Sequence, residues 1–455
     1  MKLTLLWTDI MVWILVFALL TWSWILSRSP QVKKQWYTIF KSSIAMASAI
    51  VLLFYLVFAL LDSVHLRFSD RATSSNSKQV QYGEMTSILD MIFAHNIENT
   101  ERTYSAPFAT HEYAKSIIVD ESGMTKQEYL PLKHVSKNDE IIQKSLFAML
   151  IGLIISSMMI MLHIFWRSQG RIADEVKRVW RGNSSLPWRT AYLTIILLTV
   201  TFTWFYMLSY SYHILGTDKV GGDVLYQSLK SIRTGVLIGI LTTLIMLPMA
   251  VILGVSAGLF GGWVDDVIQY LYTTLSSIPG VLLIAAGVLV MQVMMDNNPN
   301  WFETTLERSD LRLLFLIVIL GITSWTGLCR LLRAETLKIS QIEFVTAARA
   351  FGVGKLTIIR RHIIPNLMHI ILISVVLDFS GLVLAEAVLS YVGVGVDPTM
   401  YSWGNMINQA RLEMAREPMV WWSLFSAFVF MFILVLAANL LSDRIQTVLD
   451  PRNKS

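Results

Sequence analysis

Nine apolar runs punctuate this chain of 455 residues, near 5–26, 43–61, 146–166, 190–209, 234–257, 267–295, 312–332, 366–390 and 419–441. Each is close to the roughly 20 apolar residues that a helix needs to cross the hydrocarbon core of a bilayer. The pattern predicts an all-α polytopic membrane protein of about nine transmembrane helices. Pro248 and Pro279 fall inside two of the runs and are expected to kink those helices, with neighbouring helices taking up the freed carbonyls. The first run is read as a retained span. Only Lys2 flanks it, and Ser27, Arg28 and Pro30 stand where a small-residue cleavage site would follow a signal peptide.

The polar stretches between the runs orient them. Residues 27–42 hold Arg28, Lys33, Lys34 and Lys41 with no acid. Residues 167–189 hold Arg167, Arg171, Lys177, Arg178, Arg181 and Arg189 against Asp174 and Glu175. Residues 333–365 hold Arg333, Lys338, Arg349, Lys355, Arg360 and Arg361. With nine spans these three stretches share one side, and their Lys and Arg make it cytoplasmic. The N-terminus is then outside, and the C-terminus, with Arg444, Arg452 and Lys454, inside. Residues 258–266 fit poorly, since they carry Asp265 and Asp266 without a base.

The one long polar stretch, 62–145, falls outside and is long enough for a small folded domain. Its start, roughly 69–83, is rich in Ser, Thr, Asn and Gln and reads as a loop, while 111–121 and 125–135 suit short strands or helices. An extracytoplasmic cap or spacer is the main reading, and a ligand-binding domain the alternative. The chain thus divides into two N-terminal spans (1–61), this domain (62–145), a third span with a basic linker (146–189), and six further spans (190–455).

Composition agrees with a membrane protein: 54% hydrophobic and 15% charged, against about 25% charged for soluble domains. The net charge of +5 sits in short loops beside apolar runs rather than on a phosphate-binding face, so nucleic acid is not an expected partner. A single cysteine, Cys329, excludes an intrachain disulfide and a cysteine metal cluster. His163, His362 and His369 lack metal-ligand spacing, so no metal is expected. Gly352, Val353, Gly354 and Lys355 look faintly like a phosphate loop, but a Walker A motif needs glycine and Ser or Thr where Arg349 and Leu356 stand. ATP hydrolysis must then come from a partner, and no catalytic residue or cofactor is expected in this chain. Asp378 lies mid-span, where an isolated charge costs about 2.5–3.5 kcal/mol, and is expected to face a bundle interior, lining a substrate path or bonding a nearby Ser or Thr.

The stretch Glu343 to Pro365, EFVTAARAFGVGKLTIIRRHIIP, stands out because it is basic and partly amphipathic between two apolar runs. Glu343, Ala347, Ala348 and Ala350 suit a short helix lying against another protein, Gly352 permits a turn, and Pro365 is placed to start the next span. Physical chemistry alone leaves this reading level with an ordinary positive loop. The stretch resembles the EAA loop of ABC importer permeases, in particular the second, C-type permease of dipeptide and oligopeptide importers. Three further blocks are similar to that subunit: HILGTDKVGGDVLYQSLKSIRTGVLIG at 213–239, EAVLSYVGVGVDPTMYSWGNMINQAR at 386–411, and NLLSDRIQTVLDPR at 439–452. The resemblance covers about 190–455. Gly222 precedes Asp223 where the family usually has Arg, and 1–166 goes beyond the family's six-span layout.

The resemblance implies a type I importer permease in a bacterial inner membrane, forming half of a translocation path for peptides by alternating access. Glu343, Ala347, Ala348, Arg349, Gly352 and Pro365 would couple it to an ATPase. Gly216, Thr217, Asp218, Gly221, Asp223, Gly393, Gly395, Trp403 and Gly404 would face a substrate-binding protein or the outer gate, although Trp403 and Tyr391 equally suit the membrane interface. Implied partners are the lipid bilayer, a second homologous permease, an extracytoplasmic substrate-binding protein, and one or two ATPases that carry ATP and magnesium. The alternatives are nickel, another small solute or antimicrobial peptides as cargo, or a membrane sensor or scaffold acting through 62–145.

Overall fold

The computed structural model describes residues 2–26, 28, 30–69, 82–119, 125–135, 141–168, 172–182, 184–302 and 304–449. In chain order the first elements are β1 (Lys2–Thr4), α1 (Trp7–Leu26), α2 (Pro30–Phe40), α3 (Ser43–Asp62), β2 (His65–Ser69), β3 (Tyr82–Ser87), α4 (Ile88–Ile92) and α5 (Ala94–Glu98). The hairpin β4 (Ser116–Val119) and β5 (Thr125–Glu128) follows, then α6 (Ile141–Ser168) and α7 (Ile172–Trp180). Next come α8 (Trp188–Ser209), α9 (Val224–Phe260), α10 (Gly262–Ser277), α11 (Gly280–Asn297), α12 (Thr305–Ser340) and α13 (Glu343–Ala350). The last are α14 (Lys355–Ile358), α15 (Ile364–Val392), α16 (Trp403–Glu413) and α17 (Trp422–Leu449). Eight helices among the described residues are long and apolar enough to cross a membrane, and Trp7–Thr21 is a shorter apolar helix.

Two expectations change. The run 267–295 is not one kinked span. A residue before proline is pushed out of the helical region, and Ile278 is extended (φ −90°, ψ 132°), so α10 ends at Ser277 and α11 begins anew at Gly280. The polar face of α10 carries Asp265, which takes a two-pronged hydrogen bond from Arg333 (Nε to Oδ1 2.5 Å, Nη2 to Oδ2 2.7 Å). Those bonds hold the Asp265 carboxyl below its usual range. The acid that fitted the charge pattern poorly is thus neutralised by a base of the 333–365 stretch.

Nor does Pro365 open a span, because the helix runs continuously from Lys355 to Val392. Its turn at Ile359–Ile363 is a π-helix in which Ile364 N donates to Ile359 O. Proline cannot donate to the carbonyl four residues back, and a widened turn absorbs that gap without breaking the helix. Asn366 Nδ2 takes up the His362 carbonyl at 2.6 Å.

By packing, the chain forms two units. One holds Met1–Leu5, Ser23–Gly235 and Tyr401–Leu441. Here α3 and α6 pack on α8; a Cβ on Gly152 of α6 would lie 2.9 Å from Val200 Cα, so the small residue permits this close crossing. Phe54 and Phe58 meet Phe202 edge-on. The polar segment 62–145 adds an antiparallel sheet of order β1-β2-β3, with Thr4 opposite His65 and His65 opposite Ser87. Of the pieces 111–121 and 125–135, Val119 and Thr125 close the antiparallel hairpin β4–β5. Most of the loop expected at 69–83 (70–81) lies outside the described residues, as do Arg171, Arg452 and Lys454.

The other unit holds Leu6–Trp22, Val236–Met400 and the chain from Ser442. The start of α1 is fixed by carboxylates that satisfy helix N-terminal amides: Leu6 N donates to Asp9 at 3.2 Å and Thr8 N to the buried Asp310 at 3.0 Å. Where α9 passes α12, a Cβ on Gly254 would sit 2.7 Å from Cys329 O, and one on Gly258 2.6 Å from Thr336 Cβ. Around this crossing a continuous apolar cluster includes Met246, Trp325, Leu332, Ile358, Ile363 and Leu367.

Candidate functional site

The stretch after α12 is built as a free-standing short helix on a single apolar anchor. Ile342 is extended (φ −71°, ψ 145°), so the chain leaves α12 and restarts as α13. Glu343 lies in its first turn and Arg349 in its last, the placements that oppose the helix dipole. Val345 is fully buried in the cluster that also holds Ile339, Ile358 and Ile363. The helix closes in a Schellman motif: Val353 N donates to Ala348 O and Gly352 N to Arg349 O, both at 3.1 Å, with Gly352 at φ +76°.

Much of the rest faces outward. Glu343, Ala347 and Arg349 are exposed, and Ala348 is half-buried. Ile342, Phe344, Phe351 and Leu356 are 44, 45, 88 and 79% exposed. Large apolar side chains left exposed on a polar loop are the kind of surface that marks a protein or membrane contact. Sequence reading had the helix, its acid and its glycine stop. It missed the anchor Val345 and the exposed aromatics, which only the burial pattern separates.

The block at 213–223 is the reverse. Thr217 is buried and fully bonded to the polar segment: its N donates to Ser105 O (3.1 Å), its Oγ1 to Thr103 O (2.9 Å), and Ser105 N donates to its Oγ1 (2.6 Å). Glu101 N donates to Gly221 O and Phe108 N to His213 O, both at 3.0 Å. Gly216 and Gly221 have φ of +72° and +79°. A Cβ on them would stand 2.4 Å from Ser105 O and 1.9 Å from Glu101 O, so only glycine lets the two backbones meet.

Asp218 Oδ1 accepts from Val220 N (2.9 Å) and Gly222 N (2.8 Å) and holds the turn. Asp223 is buried, 2.9 Å from His213 Nδ1, and caps the start of α9 through Tyr226 N (3.0 Å). Nearby, Lys230 of α9 bonds Asp90, itself held by Tyr226 OH at 2.7 Å, and stands 3.9 Å from Asp62. Burial by itself would raise the Asp90 carboxyl, but the charge and hydrogen bond of Lys230 outweigh it and hold it below its usual range.

The third group of expected residues is also largely internal. Trp403 is 1% exposed, lies on Gly235, and donates Nε1 to Ser228 O at 3.1 Å, so it is a packing residue and not a membrane-interface one. Gly404 is buried, and Gly395 is pressed against Ser390. Gly393, at φ +86°, ends α15 in the open, beside the exposed Tyr391. Of the nine residues expected to look outward, Gly393 is exposed and Asp218 half-buried; the other seven are covered by the chain itself. The covering residues Glu101 and Ser105 act through backbone groups, which leave no mark in the sequence. Asp378 is half-buried on α15, with no hydrogen bond or ion pair among the described residues, so the expected Ser or Thr partner is absent there.

The eight long apolar helices define a polytopic membrane protein. Residues 250–455 match the family described as binding-protein-dependent transport system inner membrane component. The chain is 32% identical over 245 residues to the glutathione transport system permease protein GsiD of Pectobacterium atrosepticum, covering 54% of this chain and 74% of that one. It is 31% identical to the oligopeptide transport system permease protein OppC of Mycobacterium tuberculosis over 53% of this chain and 77% of that one. It is 30% identical to the dipeptide transport system permease protein DppC of Bacillus subtilis over 53% and 69%. Among solved structures, the MetNI methionine ABC transporter is similar at 16% identity and a TM-score of 0.40, over 50% of this chain and 97% of that one. The chain belongs to the inner-membrane permease family of ABC importers.

Proposed function

We propose that this permease forms half of a peptide translocation path and is driven by a separate ATPase that docks on α13. The observation that carries this reading is the form of that helix: a rigid, glycine-stopped element, anchored by Val345 and otherwise presenting Phe344, Ala347, Arg349 and Phe351 to a partner. Val345 shares one apolar cluster with residues of α9, α12, α14 and α15, so a push on α13 is passed to long helices through close-packed contacts. ATP and magnesium belong to the partner; this chain supplies movement, not catalysis. A peptide cargo is supported by the names of the relatives, which carry oligopeptides, dipeptides or glutathione.

Half-buried Asp378 is the side chain assigned to the path. A second permease completes the path, and a substrate-binding protein delivers the cargo from outside. Since the 213–223 block is covered by 101–108, that protein meets the polar segment first. The excess of Lys and Arg on the α13 side supports a cytoplasmic C-terminus. Pairing of β1 with β2 sets residue 2 beside the polar segment, which supports an outside N-terminus if that segment is outside.

The test is uptake of a labelled oligopeptide by proteoliposomes holding the assembled transporter. Glu343→Lys and Gly352→Val are expected to abolish uptake while leaving assembly intact, and Asp378→Asn to lower it with the ATPase still bound. Full uptake in both loop variants would remove α13 from the coupling role.

A further inference from the structure

Two short helices lie outside the family-matching region and have no role in the account above. They are α2, between α1 and α3, and α7, between α6 and α8. Tyr37 OH of α2 donates to Ser185 O, just before α8, at 3.2 Å, so both helices lie at one end of this helix group. On α2, Ile39 is buried and Val32 and Gln35 half-buried, whereas Lys33, Lys34, Trp36 and Tyr37, and Lys41 just past its end, are exposed. On α7, Val179 is buried, while Val176 and Trp180 form an apolar stripe 44 and 77% exposed, flanked by exposed Lys177 and Arg181. Trp166, at the end of α6, is 84% exposed.

We propose that α2 and α7 form an interfacial platform that binds the headgroups of anionic phospholipids. Both helices join membrane-crossing segments through a few residues, so they lie at the level of the headgroups. Tryptophan and tyrosine interleaved with lysine and arginine, on the face a helix leaves unpacked, are the chemistry of such an interface: rings at the boundary, cations toward phosphate. The charge is one-sided. Residues 27–42 hold no acid, and Asp174 and Glu175 are the acids of 167–189. A protein partner would also accept cations. The exposed Trp180 of α7 and the exposed Trp166 at the end of α6, a helix long and apolar enough to cross the membrane, favour the bilayer.

The test uses the full chain in vesicles. Cys329 is the single cysteine, so a Cys329→Ala background leaves one nitroxide at Trp180→Cys to report its depth by collision with oxygen and with a water-soluble nickel complex. A second label at Trp166→Cys confirms that the spans are inserted. Adding phosphatidylglycerol to phosphatidylcholine vesicles is expected to raise the oxygen-to-nickel accessibility ratio at 180 by about twofold and leave 166 unchanged. Lys33→Glu, Lys34→Glu, Lys177→Glu and Arg181→Glu together are expected to cancel most of that rise. Equal ratios in the two lipids, or a rise that survives charge reversal, would overturn the proposal. So would a label that stays in water in both lipids and is shielded only when the ATPase subunit is added, which would give the surface to a protein.

Discussion

The stretches 343–365 and 213–223 carry the plainest sequence signatures of this permease, and they meet their surroundings in opposite ways. On α13 one side chain is buried, and Gly352 has nothing within 4 Å of where a Cβ would stand. Gly221 has nearly the same φ, but its missing Cβ is the space that the Glu101 backbone fills. One glycine turns a chain at a surface; the other admits a second segment of the same chain. A signature that stands open and a signature covered by its own chain look alike in sequence, and burial separates them.

The comparison breaks most sharply at the glycines themselves. Gly221→Ala is expected to destabilise docking of the polar segment by at least about 3 kcal/mol, the range of severe single changes, because backbone atoms block the new methyl. The same change at Gly352 meets no neighbour and costs only the left-handed strain of about 1–2 kcal/mol. Limited proteolysis of 62–145 and thermal unfolding of the purified protein read the two effects. Equal losses would show that conformation, and not contact, governs both glycines.

Lys230→Met comes next. It strips the bonded cation from Asp90, and breaking a largely buried pair in this way costs about 3 kcal/mol or more. Because the Asp90 carboxyl is held low, its contribution is complete above the unfolded value of about 3.9 and is lost as pH falls through the lower folded value. Proteolysis against pH should therefore show the wild-type segment protected at mildly acidic pH, and the Lys230→Met segment less protected throughout.

A middle-sized effect is expected on the coupling side. Val345→Ala removes the anchor of α13 and should cost about 2 kcal/mol, seen as faster hydrogen exchange across 343–350. The smallest is Phe351→Ala. This side chain is exposed, so stability should change by less than about 0.5 kcal/mol. Peptide uptake should nevertheless fall, which tells a partner-facing residue from a packing one.

The spans were legible because apolar length is a one-dimensional signal, and the loop helix was legible because Glu343, the alanines and Gly352 obey local rules. Breaks were harder. Pro279 ends α10 because Ile278 cannot stay helical, whereas Pro365 sits inside a continuous helix because the π turn before it widens the backbone around its missing donor. Both read alike as prolines near apolar runs. The burial of Thr217, Asp223 and Trp403 was not legible, since it depends on Ser105, Glu101 and Ser228 brought from far along the chain. The neutralisation of Asp265 by Arg333 was likewise a contact that only the fold brings about.

The measurement that bears most directly on the central claim is site-directed cross-linking from α13. With Cys329→Ala, the exposed Ala347→Cys carries the one thiol of the chain, and a short bifunctional maleimide is applied to the transporter co-purified from its membrane. The account predicts a product joining this chain to the ATPase subunit, with a yield that changes when ATP is added. A complex that co-purifies intact, yet gives no such product and leaves position 347 open to water-soluble maleimide, would contradict it.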